Sequence, residues 1–458
     1  VNYEEFLQRK RIAAPASGLS GRLPDLHPEL FGYQSECAEF GLRAGNWAAF
    51  LDTGLGKSFI QLEWLRVLSE SANKPVLMFA PLAVGPQHVR EARRFGIEAR
   101  TVRDQSGVGP GINIANYERL HLFEPAQFAA LACDESSIIK SFTGSTARKL
   151  MEFGRHIPYR MAATATPAPN DHMELGQHCQ FLGVMDSSEM LARWFIADQS
   201  EMARYRLKGY AVKPFWSWVS SWARCLGRPS DLGYTDDGFD LPELKTELHI
   251  VDTDHSISAE EGQLFRIVDT SATSIHKEKR LTSGDRADRV AEIVGREPDE
   301  RWVIWCETDY DADAVTARIP HAIEVRGSMP ADEKEAKLVA FSEGTERVLV
   351  TKPRIAGFGL NWQHCARTVF AGVSFSYESY YQAVRRFWRF GQQRPVHAHV
   401  VLAETERQIW QIISRKAREH QSMKAEMVDA MRRESITHTV RADYCPTVPT
   451  QLPRWLNG

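Results

Sequence analysis

Leu51-Asp52-Thr53-Gly54-Leu55-Gly56-Lys57-Ser58 decides the fold of this chain. An apolar run at 47–51 (WAAFL) leads into it and a helical apolar period over 57–70 leads out. Strand, glycine turn and helix in that order make the setting a phosphate-binding loop requires. Gly54 and Gly56 let the backbone curl until its N–H groups point at phosphate oxygens, and the helix N-terminus adds partial positive charge. Thr53 and Leu55 complete the curl. Lys57 is placed to reach the β- and γ-phosphates, and the Ser58 hydroxyl to hold Mg²⁺. The general pattern has glycine six residues before the lysine, where Leu51 stands here. The plain alternative is a glycine turn ahead of an ordinary helix.

Working outward, further apolar runs lie at 76–80 (VLMFA), 112–115 (INIA), 129–133 (AALAC) and 159–163 (YRMAA). Helical periods fall between several of them, for example at 84–95. Continuous apolar strands alternating with helices predict a parallel sheet covered on both faces. Asp134-Glu135 closes one of these strands. In a phosphate-loop enzyme such an Asp holds Mg²⁺ through water, and the Glu polarises the attacking water. By itself an Asp-Glu pair is more often a solvated strand end; here it follows a phosphate loop in the same sheet.

The alternation stops near 170. Residues 171–245 read as a helical insert rich in aromatics, with Trp194, Trp216, Trp218 and Trp222, ending in a loop. These tryptophans are expected to form a small core rather than a base-stacking platform. A basic cluster of Arg204, Arg206 and Lys208 with Tyr205 and Tyr210 is either a brace for a nucleic-acid strand or plain surface. Alternation then resumes, with strands expected at 302–306, 321–325, 347–351, 367–371 and 396–402 and helices at 309–318, 331–343 and 377–389. A long amphipathic helix is expected over about 405–433, with Arg415, Lys416 and Arg418 on its solvated face. The expected division is 1–29 N-terminal extension, 30–170 first lobe, 171–245 insert, 246–403 second lobe and 404–458 helical tail. The fold class is α/β, two parallel-sheet lobes with a helical insert and a helical tail.

The 458 residues carry a net charge of −3, so any contact with nucleic acid must come from a local groove rather than bulk charge. Seven cysteines show no metal-knuckle spacing, which argues against a zinc site or disulfide framework and for a reducing compartment. The opening VNYEEFLQRKR lacks the apolar core of a signal peptide, and no run of about 18 apolar residues occurs. A cytoplasmic protein with no membrane contact is expected.

Taken in order, these motifs resemble superfamily 2 helicases, specifically the Swi/Snf-type translocases and their compact phage and bacterial relatives. The resemblance spans roughly residues 30–435. Leu30-Phe31-Gly32-Tyr33-Gln34 is similar to the upstream glutamine motif, in which Gln34 would read the adenine edge. Pro81 with Gln87 and Glu91, and Asn116-Tyr117-Glu118, resemble motifs Ia and Ib. Asp134-Glu135-Ser136-Ser137 fits motif II, and Thr164-Ala165-Thr166-Pro167 motif III, with Ala165 where glycine is usual. In the second half, Leu241-Pro242 with Lys245 resembles the entry into the second lobe. Arg326-Gly327-Ser328 resembles a backbone-approaching segment, Ala356-Gly357-Phe358-Gly359-Leu360-Asn361 motif V, and Gln382-Ala383-Val384-Arg385-Arg386-Phe387-Trp388-Arg389-Phe390-Gly391-Gln392 motif VI. The family usually has Asp where Arg385 stands, so a local ion pair is either missing or rewired.

The resemblance implies two RecA-like lobes closing over ATP and Mg²⁺. Lys57 and Ser58 would hold phosphate and metal, Asp134 the metal, and Glu135 would be the base. Gln382, Arg386 and Arg389 would act from the opposite lobe, with Gly359 and Asn361 in a backbone nest near the nucleotide. Arg386 and Arg389, three apart, would share a helical face. An arginine offered across a cleft to the γ-phosphate speeds transfer by about 10³-fold or more. Pro81, Asn116, Arg326, Ser328 and Thr351 are the candidates for gripping a nucleic-acid backbone; each is equally readable as a cap or turn residue. The expected activity is an ATP-dependent DNA helicase or translocase, monomeric, from a bacterium or an infected host cell, on double-stranded or branched DNA. An RNA helicase, or a nucleotide-gated scaffold with a protein partner on the insert, are the alternatives.

Overall fold

The computed structural model describes residues 13–81, 84–140, 144–197, 205–252, 272–356 and 361–443. The first lobe holds strands β1 (Asn46–Leu51), β2 (Val76–Ala80), β3 (Ala99–Thr101), β4 (Ile112–Asn116), β5 (Ala130–Asp134), β6 (Tyr159–Ala163) and β9 (Ala223–Leu226), paired in the order β3-β4-β2-β5-β6-β1-β9. Every pairing in this sheet is parallel. Side chains alternate across it: Ala48, Phe50, Leu77 and Phe79 enter one core, Ala49, Leu51, Val76 and Met78 the other. Two buried faces explain why these strands read as continuous apolar runs. Helices α1 (Gly32–Ala44), α2 (Lys57–Ala72), α3 (Gly85–Arg94) and α4 (Ser145–Arg155) supply much of the cover.

The stretch expected as a helical insert is not a separate unit. Helices α5 (Leu175–Leu182) and α7 (Val212–Ser220) pack on strands of the first sheet, α6 (Ser187–Trp194) packs on α5, and β9 extends the sheet. A short antiparallel hairpin, β7 (Phe195–Ala197) with β8 (Tyr205–Leu207), lies between α6 and α7. Trp194, Trp216, Trp218 and Trp222 are buried, but in the same core as Phe50 and Phe79. The sequence hid this because β9, ARCL, is only four residues long and follows tryptophan-rich helical text. Its position matters for the site: Leu226 O accepts from Asp52 N at 2.8 Å, fixing the end of β1 where the glycine turn begins. Lys208 is spent on Ala192 O and Arg193 O at the end of α6, at 2.9 and 3.0 Å. Arg204 lies outside the described residues.

The second lobe is another all-parallel sheet, ordered β10-β15-β14-β11-β13-β12. Its strands are β10 (Leu244–Val251), β11 (Trp302–Trp305), β12 (Ile323–Glu324), β13 (Val348–Thr351), β14 (Arg367–Phe370) and β15 (Val396–Ala403). Helices α8 (Ala272–Leu281), α9 (Ser283–Arg296), α10 (Asp309–Arg318), α11 (Ala331–Glu343), α12 (Pro353–Ala356) and α13 (Tyr377–Val384) connect them. Cores on both faces again bury the strands.

The last helix, α14 (Arg407–Asp443), belongs to both lobes. Ile409 and Ile413 enter the second lobe's core, whereas Met423, Met427 and Ala430 enter the first lobe's. Its 37 residues span about 55 Å, enough to strap one lobe to the other. Lys416, expected on the solvated face, instead bridges the lobes, donating to Asn170 Oδ1 at 2.8 Å and Phe375 O at 3.1 Å. Among the described residues no helix is long and apolar enough to cross a membrane.

Candidate active site

Parallel sheets present their ligand sites beyond the carboxyl ends of their strands. The ends of β1 and β5 put Asp52–Ser58 and Asp134-Glu135 on one such edge, and motif VI of the second lobe lies against it. Gly54 and Gly56 adopt left-handed φ of +96° and +73°, as a tight cradle demands. Space demands it too: a Cβ at Gly54 would lie 2.8 Å from Phe390 Cβ of the second lobe, and one at Gly56 2.1 Å from the Gln34 amide nitrogen. Gly56 caps α2, leaving the first N–H groups of that helix facing the cleft. Lys57 Nζ rests on Leu51 O and Asp52 O at 2.8 and 3.3 Å. Burial lowers its pKa to about 8, against the pull of Glu135, Asp52 and Asp134. Thr53 donates its N–H to Asp52 Oδ1 at 2.8 Å.

Gln34 is committed to the loop itself. Its Nε2 donates to Leu55 O at 3.2 Å and to the Tyr33 hydroxyl at 3.3 Å, while Oε1 accepts from Phe31 N at 3.0 Å. Its amide is thus engaged at both ends before any adenine arrives.

Asp134 is gripped by two residues that motif reading missed. His88 Nε2 lies 3.1 Å from Oδ2, and Gln61 Nε2 donates to Oδ1 at 3.0 Å. Burial pushes the carboxyl up, but His88, Gln61 and Lys57 outweigh it, so Asp134 is held below the ordinary range and stays ionised. Burial likewise opposes protonation of His88, yet Asp134 wins and raises it. The signals available were His88 one turn into the helix after Pro81 and Gln61 one turn beyond Lys57. An ionised carboxylate and the Ser58 hydroxyl are hard oxygen donors, which suit Mg²⁺, and a carboxylate retains lone pairs beyond its two bonds.

Glu135 has the reverse character. Burial, then neighbouring Asp134, raises its pKa, with Lys57, Thr164 and Arg386 partly offsetting. A buried carboxyl tuned upward suits a general base. Its backbone is left-handed at φ 54°, an uncommon state for a side chain of this size and a local strain of the kind found at active sites. Its Oε1 accepts from Thr164 Oγ1 at 2.7 Å, Ser137 Oγ at 3.1 Å and, from the second lobe, Gln382 Nε2 at 3.3 Å. Thr166 N donates to Thr164 Oγ1 at 3.0 Å, and Gln382 Nε2 also reaches Thr166 Oγ1 at 3.5 Å. Motif III thus lies between the acid and the opposite lobe.

The arginines arrive differently from expectation. Helix α13 ends at Val384, not near 389, so Arg386 and Arg389 sit on successive tight turns instead of one helical face. The helix stops because Phe387 turns into the core and Arg386 O is taken by Trp362 N at 3.1 Å. Arg386 is buried and close enough to Glu135 and Asp134 to feel both; burial, then Arg389, lowers its pKa to about 9. Arg389 faces Glu91 of α3 electrostatically.

Of the motif V residues, Gly359 lies outside the described residues, and Asn361 is exposed, its Oδ1 accepting from Gln363 N at 3.4 Å. Among the backbone-gripping candidates, Thr351 is a correction: it is 1% exposed and donates to Val325 O at 3.1 Å, so its hydroxyl cannot meet a phosphate. Arg326 is paired with Glu324 and Asp313. Ser328 is exposed, and Pro81 and Asn116 stand half-buried at the ends of β2 and β4.

Residues 285–391 match the family described as the helicase conserved C-terminal domain. The matched segment lies wholly within the second lobe. The match starts in α9 and ends at Gly391, so it contains Gln382, Arg386 and Arg389, and it agrees with the superfamily 2, Swi/Snf-like resemblance carried by the motifs. Among solved structures, the chain is similar to the Sulfolobus solfataricus SWI2/SNF2 ATPase core in complex with dsDNA, at 16% identity, covering 84% of this chain and 90% of that one, with a TM-score of 0.42. No curated protein sequence matches it significantly. The second lobe and the lobe before it are two parallel-sheet α/β units facing each other across the phosphate loop.

Proposed function

We propose that this chain is an ATP-driven motor that hydrolyses ATP between its two lobes and moves along DNA, double-stranded or branched. The observation that carries this reading is the Gln382 amide on Glu135: the acid of one lobe is completed by a side chain of the other. Chemistry at such a site depends on lobe closure, and a cycle of closing and opening is what a walker needs.

Lys57 and the N–H groups at the start of α2 would bind the phosphates. Bound Mg²⁺, held by Ser58 and Asp134, would neutralise charge on the β- and γ-oxygens. Glu135, kept in place by Thr164 and Ser137, would accept a proton from the attacking water at Oε1 or Oε2. Arg386 and Arg389 would stabilise charge developing on the transferred phosphoryl group. The burial of Gln34 under the loop supports it as a brace for Leu55 and Gly56 in addition to any adenine contact.

The test is ATP hydrolysis by the purified chain, alone and with equal masses of duplex DNA, single-stranded DNA and single-stranded RNA, with Glu135→Gln as blank. Stimulation by duplex DNA is expected. Stimulation by RNA alone would make it an RNA helicase, and indifference to all three would leave a motor whose partner is a protein.

A further inference from the structure

Asp52, the residue after β1, is the meeting point of three chain segments. Its Oδ1 accepts from Thr53 N and from the Tyr381 hydroxyl. Its Oδ2 is paired with the Arg385 guanidinium and with Lys424 Nζ, the latter at 3.2 Å. Side-chain exposures of 11% for Asp52, 7% for Arg385 and 14% for Lys424 make this a dry cluster, where charge pairing is strong and leaving a charge unpaired is costly. Burial opposes ionisation of Asp52, yet Arg385 and Lys424 hold its carboxyl well below the ordinary range.

The two cations are anchored to different bodies. Arg385 and Tyr381 are at the end of α13, in the second lobe. Lys424 is on α14, between Met423 and Met427, both of which pack in the first lobe's core. Separation of the lobes would carry Arg385 and Tyr381 away from Asp52, while Lys424, whose Nζ also donates to the Tyr381 hydroxyl at 3.4 Å, would be kept beside it by Met423 and Met427. The backbone carbonyl of this same Asp52 is one of the two rests for Lys57 Nζ. Whatever moves Asp52 moves the seat of the phosphate-binding lysine.

We propose that Asp52, Arg385 and Lys424 form a closure latch on the phosphate loop, in which Lys424 is the standing partner and Arg385 the one that arrives with the second lobe. Arg385 and Lys424 are positioning residues: they act on Asp52 and through it on Lys57. Two cations against one carboxylate leave positive charge in excess, and a polyphosphate bound alongside would offset it. Nucleotide would thereby favour the closed latch, and the closed latch would fix Lys57. The ion pair left open at Arg385 in the sequence is therefore made with Asp52 of the loop. The role in hydrolysis rests on the ATPase reading above; the latch itself does not.

The experiment is a double-mutant cycle on the full chain with Arg385→Met and Asp52→Asn, joined by Lys424→Met and Lys424→Arg. Each variant is measured for kcat and KM of ATP hydrolysis, for affinity toward a fluorescent ATP analogue, for thermal midpoint, and for radius of gyration by small-angle scattering without nucleotide. Because nucleotide and latch are linked, the latch predicts that Arg385→Met lowers kcat by tenfold or more, weakens nucleotide affinity by about threefold or more, and expands the nucleotide-free protein. It predicts that adding Arg385→Met to Asp52→Asn changes none of these readouts further. Lys424→Arg is expected to retain activity that Lys424→Met loses. Equal effects of Arg385→Met in both backgrounds would overturn the latch, as would losses that simply track the thermal midpoint. If the unmodified chain hydrolyses no ATP, the ATPase reading fails, and the scattering arm of the same cycle still decides whether Arg385 holds the lobes together through Asp52.

Discussion

The Gln382 side-chain amide, on the second lobe, donates to Glu135 Oε1 on the first across 3.3 Å, and the Thr164 hydroxyl holds the same oxygen at 2.7 Å. One carboxylate oxygen is thus shared by the motif that follows the strand end and the motif that crosses the cleft.

Thr164→Val removes the hydroxyl with little change in volume. It should lower kcat by about tenfold or more while leaving nucleotide affinity nearly unchanged, because the bond orients the acid and does not touch phosphate. It should also raise the acidic limb of the pH–rate profile, since the Thr164 bond favours the ionised Glu135. Steady-state kinetics with a parallel binding titration checks both. A proportional loss of affinity and turnover would place Thr164 in nucleotide binding instead.

The pH profile has a defined shape. As the proposed base, Glu135 would have to be deprotonated, and its pKa is raised by burial and Asp134, so activity should rise at higher pH than an ordinary carboxylate would give. As the proposed phosphate ligand, Lys57 would have to be protonated, and burial lowers its pKa to about 8, so kcat/KM should fall as pH rises through 8. Bound phosphate favours the charged lysine, so the alkaline limb should weaken in kcat, which reports the complex. Lys57→Arg should move the alkaline limb of any residual activity upward, and Lys57→Ala should abolish hydrolysis.

Met427 tests the strap. It is 3% exposed and lies in the first lobe's core although its helix starts in the second. Met427→Ala should destabilise the first lobe by about 2–4 kcal/mol through lost burial and a residual cavity. Denaturant unfolding followed by tryptophan fluorescence would show it, since Trp216, Trp218 and Trp222 share that core.

Much of this architecture was legible because parallel strands buried on both faces write continuous apolar runs. The runs at 76–80 and 159–163 coincide with β2 and β6, and the helix expected at 331–343 is α11. The sequence places Asp134 and Glu135 at the end of a strand and Lys57 at the start of a helix after a glycine turn, and the structure has them there. The path of 171–245 was not legible, since a four-residue strand carries too little period to betray its pairing with β1. Nor were His88 and Gln61, whose role is to hold Asp134 and whose codes look like ordinary helix text. Arg386 and Arg389 lie on turns rather than on one helical face, because Phe387 between them is drawn into the core. Thr351 was misjudged because a hydroxyl at a strand end can equally turn inward to a backbone carbonyl.

The most direct test of an interlobe motor is hydrolysis by Arg386→Ala and Arg389→Ala, measured beside nucleotide affinity in saturating duplex DNA. A site completed from the second lobe predicts retained nucleotide binding and turnover reduced by about 10³-fold in at least one of the two, because the arginine acts on transition-state charge. Normal turnover in both variants would contradict it: the first lobe would then hydrolyse ATP alone, and closure would not be part of the chemistry.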